Sequence, residues 1–239
     1  MHVHLPKALH GWRELAKEIA IIVVGVLIAL SAEQLVESWN WQRKIDSAKD
    51  AMRYELLFDD GPQFYQRAAM HPCLVARLDA ISAAVENGAS RQEIGQLADS
   101  YWVDVRTFDR LALDAANSSD VASHMKQEEI EPFLISYETM PLMTTTNVQE
   151  GADIARMRAF TRTGGAMTLD EKDRLLDALG ALRNEENTMW AKARVKLYEM
   201  RQVGPLDAGR VRMFMADARQ HYGACVKELP PDFPGGIPH

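Results

Sequence analysis

The sequence predicts an all-α protein, an N-terminal transmembrane helix that continues into an up-and-down helical bundle. Three observations carry this reading. Residues Ile19 to Ala32 form an uncharged apolar block of 14 positions. Further along, apolar residues recur at three- and four-residue spacing, most clearly at Leu175, Leu179, Leu182, Met189, Ala193, Leu197 and Met200, which marks one face of a helix. Strand-type alternation is confined to Tyr101-Trp102-Val103-Asp104-Val105, too short to build a sheet.

At 1.5 Å per residue the apolar block alone gives ~21 Å of helix, against a hydrocarbon core of ~30 Å. Its flanks lengthen it. Trp12 lies on one side, Trp39 and Trp41 on the other, and Trp12 to Trp39 spans roughly 40 Å of helix, the spacing at which indoles occupy both membrane interfaces. Lys17, Glu18 and Glu33 then reach toward the headgroups along their own stems. The competing reading is a cleaved signal peptide, with Ala29-Leu30-Ser31 as a small-x-small site. Against cleavage, no Pro or Gly interrupts Val26 to Asp60, and helical periodicity continues through Leu35, Trp39, Ile45, Ala48, Met52 and Leu56. Basic residues are nearly balanced, with Lys7, Arg13 and Lys17 before the span and Arg43, Lys44, Lys49 and Arg53 after it. Arg13 and Lys17 abut the membrane, whereas Glu33 and Glu37 come first on the other side, so the N-terminal side is expected inside. The organisation expected is a short cytoplasmic tail (1–18), the span (19–38), a helical bundle domain (39–229) and a Pro/Gly-rich tail (230–239). Continuity from span to bundle would couple the two mechanically.

Each bundle element has its own signal. The first helix should run from about Ala8 to Phe58, where Asp60-Gly61-Pro62 invites a break or a kink. Gln63 to Met70 resume it, and His71-Pro72 interrupt it again, with Pro72 opening a helix that ends at Asn87-Gly88. Ser90 with Glu93 forms a capping box for a helix to about Tyr101, and Thr107 caps another through Ala116. After the polar loop Asn117 to Asp120, helix is expected from Val121 to Arg162, kinked at Pro141. Thr163-Gly164-Gly165 stops it. Thr168 with Glu171 caps a long helix from Leu169 to Gln202, which Val203-Gly204-Pro205 ends, and a last helix runs from Leu206 to about Cys225.

The stretch Glu18-Ile19, Val23-Val24-Gly25-Val26-Leu27-Ile28-Ala29-Leu30, followed by Glu37, Trp39, Asn40 and Arg43, resembles the N-terminus of uncharacterised bacterial single-pass membrane proteins. These open with E-I-x-x-x-V-x-G-x-L-I-A-L and continue into a Trp- and Arg-bearing helix. The resemblance covers residues 11 to 50 and implies a bacterial envelope protein of a family with no assigned activity. It brings no functional residues.

Composition narrows the function classes. The net charge is −7 and the apolar content 47%, so a core is affordable while a nucleic-acid partner, which needs a basic face, is not expected. Cys73 and Cys225 are the two cysteines. In an oxidising periplasm they would close a long loop as a disulfide; otherwise they pack as two separate buried thiols. Neither lies in a CxxC motif. Gly25 and Ala29 form a small-xxx-small pair at which a second membrane helix can approach.

No catalytic, cofactor-binding or metal-ligating set emerges. His2, His4 and His10 cluster without acidic or Cys partners, and His71, His124 and His221 stand alone in sequence. There is no HExxH or ExxH pair, no G-x-S-x-G, no P-loop and no G-x-G-x-x-G. Gly164-Gly165 lies between helices and reads as a turn. Glu186 falls where the stripe from Leu182 to Met189 expects an apolar residue. A small rotation would leave it at the stripe edge beside Arg183, and this is the reading expected over a carboxylate aimed into the core. The aromatic and Met residues read as core filler.

Two functions follow as expectations. The first is a membrane-anchored interaction or scaffold protein without catalytic activity, in the bacterial inner membrane with its bundle periplasmic. Its partners would be the lipid bilayer and a protein partner or second copy in the membrane. The alternative is a periplasmic small-ligand sensor that signals through its single span.

Overall fold

The structure, a computed structural model, describes residues 11–162, 165–230 and 233. The helices are α1 (Trp12–Arg53), α2 (Gly61–Glu86), α3 (Arg91–Asp99), α4 (Leu111–Ser118), α5 (Gln127–Tyr137), α6 (Met140–Arg162), α7 (Leu169–Met200) and α8 (Ala208–Tyr222). No strand occurs among the described residues. The chain divides into two units, residues 1–47 and 48–239. Helix α1 crosses that boundary unbroken, so the apolar helix continues into the bundle. An 18-residue window of it has a mean hydropathy of 2.4 and is buried nowhere, making it long and apolar enough to cross a membrane.

In the second unit, α2 and α7 are the central pair. They run antiparallel, since Gly61 lies against Met200, Arg67 against Glu186 and Asp79 against Arg183. Helix α6 packs on α7, α8 on α2, α3 on α6 and α2, and α5 on α7. The α7 stripe read from the sequence is buried throughout, from Leu175 to Met200. Its partner on α2 is Phe64, Leu74, Leu78, Ile81 and Val85, also buried. Both capping boxes form: Ser90 Oγ accepts from the Glu93 N–H and Thr168 Oγ1 from the Glu171 N–H. Gly88, at φ 72°, turns the chain after α2 in a conformation that side chains resist.

Of the break or kink expected at Asp60-Gly61-Pro62, the break does not occur. Tyr54–Asp60 instead form a π-helical segment that joins α1 to α2 without interruption. Proline explains why. Pro62 has no N–H to offer the Phe58 carbonyl, and its ring would crowd that carbonyl in an α-helix. The wider π turn moves it aside, and the Gly61 N–H bonds to Leu56 O, five residues back. Two carbonyls are thereby left over, and the start of α8 takes both. The Asp207 N–H donates to Leu57 O at 3.0 Å, and Arg210 Nε donates to Phe58 O at 3.3 Å. A tertiary contact thus repairs the local defect.

His71-Pro72 is no interruption either, because Pro72 sits inside α2. Thr107 does not cap α4: segment 101–110 is irregular, and the Leu111 and Ala112 N–H groups donate to the Glu55 carboxylate at 2.9 and 2.7 Å. The single helix expected over Val121 to Arg162 is split into α5 and α6, with Pro141 in the first turn of α6 and not at a kink. The last helix is shorter than expected, with a 3₁₀ turn over Gly223–Cys225. The stop at Thr163-Gly164 and most of the 230–239 tail lie outside the described residues.

Cys73 and Cys225 are joined in a disulfide that ties α2 to the turn after α8, with their Cα atoms 5.8 Å apart. Of the two readings of these cysteines, the bonded one is the one found.

Candidate functional site: a buried ion cluster between three helices

Arg67 and His71 are four residues apart on α2 and so share one face of that helix. That face looks onto α6 and α7. Arg67 Nη2 donates to Glu150 Oε1 of α6 and to Glu186 Oε2 of α7. The Tyr101 hydroxyl, from the irregular segment, donates to the same Glu150 oxygen at 3.2 Å. His71 Nδ1 lies 3.0 Å from Glu186 Oε1. Both glutamates are 0% exposed and Arg67 is 8% exposed. A chain of polar contacts therefore runs Tyr101–Glu150–Arg67–Glu186–His71 through the centre of the bundle.

His71 is the end of that chain nearest to water, with 17% of its side chain exposed. Its ring stacks on Trp190 at 4.5 Å and 13°. The Arg194 guanidinium lies 4.7 Å from the centroid of the same indole, a cation–π contact. At the other end, the Tyr101 carbonyl accepts from Arg158 Nη2 at 2.8 Å.

The electrostatics follow from counting. Two buried carboxylates face one guanidinium, so Arg67 is shared between Glu150 and Glu186. Burial pushes the Glu186 carboxyl up, against the opposing pull of Arg67 and of the hydrogen bond to His71. Burial would lower the Arg67 guanidinium, but Glu150 and Glu186 outweigh it and the net shift is upward. The Tyr101 hydroxyl is also raised, by burial and then by Glu150. Beside Glu186 on α7, burial and a hydrogen bond with Asp153 of α6 push Glu185 up to about 8. What the arrangement does physically is hold three helices together through charge-assisted hydrogen bonds in the bundle interior. Among the described residues, no group of three or more His, Cys, Asp or Glu side chains is placed to hold a metal ion.

The expectation for Glu186 is corrected. It does not rest at the stripe edge beside Arg183, which reaches across to Asp79 instead. It is aimed into the core, and its partners come from other helices. Sequence reasoning missed Arg67 and Glu150, although a signal existed. Arg67 and His71 sit in the spacing Phe64, Arg67, His71, Leu74, Leu78. Asn147 and Glu150 sit likewise between Met143 and Ile154. Polar residues in core register on three helices mark a buried network.

The other residues singled out from the sequence do not join the cluster. Trp12 and Trp39 are exposed, the latter with the Arg43 guanidinium 4.4 Å from its ring centroid. Lys44 Nζ lies 4.3 Å from the Trp41 ring. Around Gly25, a Cβ would meet nothing within 4 Å, and Ala29 is exposed. His2, His4 and His10 lie outside the described residues. His221 stacks on Trp102 at 3.8 Å. In comparisons with known proteins, no family model, no curated protein and no solved structure matches this chain.

Proposed function

We propose that the chain is a membrane-anchored helical interaction or scaffold protein of the bacterial envelope, its bundle on the periplasmic side of the inner membrane, and that it works by binding and not by catalysis. The observation that carries this reading is the apolar stretch of α1, which leaves Ile21, Ile22, Leu27, Ile28 and Leu35 more than half exposed. A row of large apolar side chains on a helix of this length is stable in lipid and costly in water. The exposed indoles Trp12 and Trp39 suit the two interfaces. The Cys73–Cys225 disulfide supports an oxidising compartment for the bundle. The resemblance of residues 11 to 50 to bacterial single-pass proteins points the same way.

Three measurements test it together. The protein stays with membranes through alkaline carbonate washing. A membrane-impermeant thiol reagent applied to intact spheroplasts after mild reduction labels Cys73 and Cys225. Purification in mild detergent brings a second polypeptide, or a second copy held through Gly25 and Ala29, in reproducible stoichiometry. A chain that washes off membranes, or is purified repeatedly as a lone monomer, counts decisively against the proposal.

One observation favours the sensor reading as the alternative. The ion cluster is buried and charged, with His71 its most exposed member, as a ligand- or proton-responsive element would be. Thermal-shift screening of the full chain against small polar metabolites and across pH separates the two.

A further inference from the structure

We infer that the bundle holds one internal water molecule, bridging Gln63 and Arg67 of α2 to Asn147 of α6. A cavity of about 20 Å³ lies where α2, α6, α7 and the irregular segment 101–110 meet, with Met70, Phe108 and Met189 forming its apolar walls. Three of its polar lining residues each carry a buried atom without a protein partner: Gln63 Oε1, Arg67 Nε and Asn147 Oδ1. Gln63 is 7% exposed, Arg67 8% and Asn147 1%, so bulk solvent does not satisfy them. An unsatisfied buried polar atom costs about 1–3 kcal/mol, and three in one small space call for a shared partner.

The orientation of each group is set by its other bonds. Asn147 Nδ2 donates to the Asp104 and Arg106 carbonyls at 3.1 and 3.2 Å, so its oxygen must be the atom left over. Gln63 Nε2 donates to the Asp59 carbonyl at 2.7 Å, which assigns its oxygen in the same way. Arg67 spends Nη2 on two carboxylates, and its Nε–H can only donate. Gln66 and the Asp104–Arg106 ion pair also line the cavity but have partners of their own, so the atoms left without one are two acceptors and one donor.

That inventory selects the guest. Water gives two hydrogens and accepts one, matching all three groups. An ammonium or metal cation would leave the Arg67 N–H facing positive charge. Chloride would leave both amide oxygens facing negative charge. The volume agrees, because a site needs roughly 10–15 Å³ of such space to hold one water, and three partners is the usual number for a buried one. Bound there, the water ties the irregular segment, through Asn147, to the guanidinium at the centre of the ion cluster.

The test is water–protein NMR on the full chain in detergent micelles, read at the Arg67 Nε–H resonance. A held water gives cross-peaks to the water frequency with opposite signs in NOE and rotating-frame experiments. Gln63→Met, which removes one acceptor and keeps the side chain's length, is expected to weaken or abolish those peaks while the Arg67 resonance stays in place. An assigned Arg67 Nε–H with no water cross-peak, or with the same-sign peaks of simple proton exchange, overturns the inference. Peaks of undiminished intensity in folded Gln63→Met overturn it as well. If that variant fails to fold, the wild-type spectrum decides alone.

Discussion

Replacing Arg67 by Met removes the cation from the centre of the cluster and leaves its volume nearly unchanged. Glu150 and Glu186, both 0% exposed, then face each other without their shared guanidinium. Removing one partner of a buried ion pair costs about 3–5 kcal/mol, because the charge left behind is neither hydrated nor paired. For a chain of this size each kcal/mol shifts the melting temperature by about 2–4 °C, so a fall of about 6–20 °C is expected. The loss has a sign in pH. Burial already holds the folded Glu186 carboxyl above its usual range, and Arg67 opposes that shift. Without Arg67 the carboxyl rises further, and a raised carboxyl contributes stability that is complete below the unfolded value and lost as pH climbs through the folded one. The deficit of Arg67→Met relative to the wild type must therefore be smaller at pH 5 than at pH 8. Thermal melts of the full chain in detergent, followed by circular dichroism at both pH values, measure it. The triple variant Arg67→Met/Glu150→Met/Glu186→Met should recover most of the loss, since exchanging a whole buried ion set for apolar groups is often neutral. A pH 8 melting temperature within about 2 °C of wild type, or a deficit that does not shrink at pH 5, would refute the reasoning.

Other outcomes follow from the same structure. Asp60 is pushed up to about 8, first by burial and then by Glu55 and Asp59, and its Oδ2 has no protein partner. Its stabilising contribution is complete below about pH 4 and fades toward about pH 8, so Asp60→Asn should match wild type only below about pH 4, already melt above it at about pH 5, and exceed it most at about pH 9 in a pH series. The Cys73–Cys225 bond closes a separation of 152 residues. Chain entropy makes it worth about 5 kcal/mol at most, so Cys73→Ser/Cys225→Ser should lower the melting temperature by up to about 10–20 °C. Reductant added to the wild type should reproduce that fall. At Gly61, an added Cβ would overlap Leu206 and lie 2.8 Å from the Leu56 carbonyl oxygen, which is backbone and cannot yield. Gly61→Ala should therefore cost about 1–3 kcal/mol in chemical denaturation, despite alanine's better helix propensity.

Local pattern determined a large part of this protein by itself. The apolar block with its flanking indoles specifies a membrane-length helix, because composition and length alone decide whether a helix suits lipid. The α7 stripe and the two capping boxes were equally legible, since three- and four-residue spacing and a cap each act within one or two turns. What depends on distant chain was not legible. Gly61-Pro62 reads as a break or a kink, yet the helix continues, because Asp207 and Arg210 donate to the Leu57 and Phe58 carbonyls that Pro62 and the π turn leave over. Thr107 reads as a cap, yet Glu55 from the π segment takes that place. Glu186 reads as an acid at the stripe edge beside Arg183, and only packing brings Arg67, Glu150 and His71 around it. The physical reason is shared. A buried charge or a stranded carbonyl is tolerated only when a partner arrives to satisfy it, and that partner belongs to another helix whose register only the folded bundle sets.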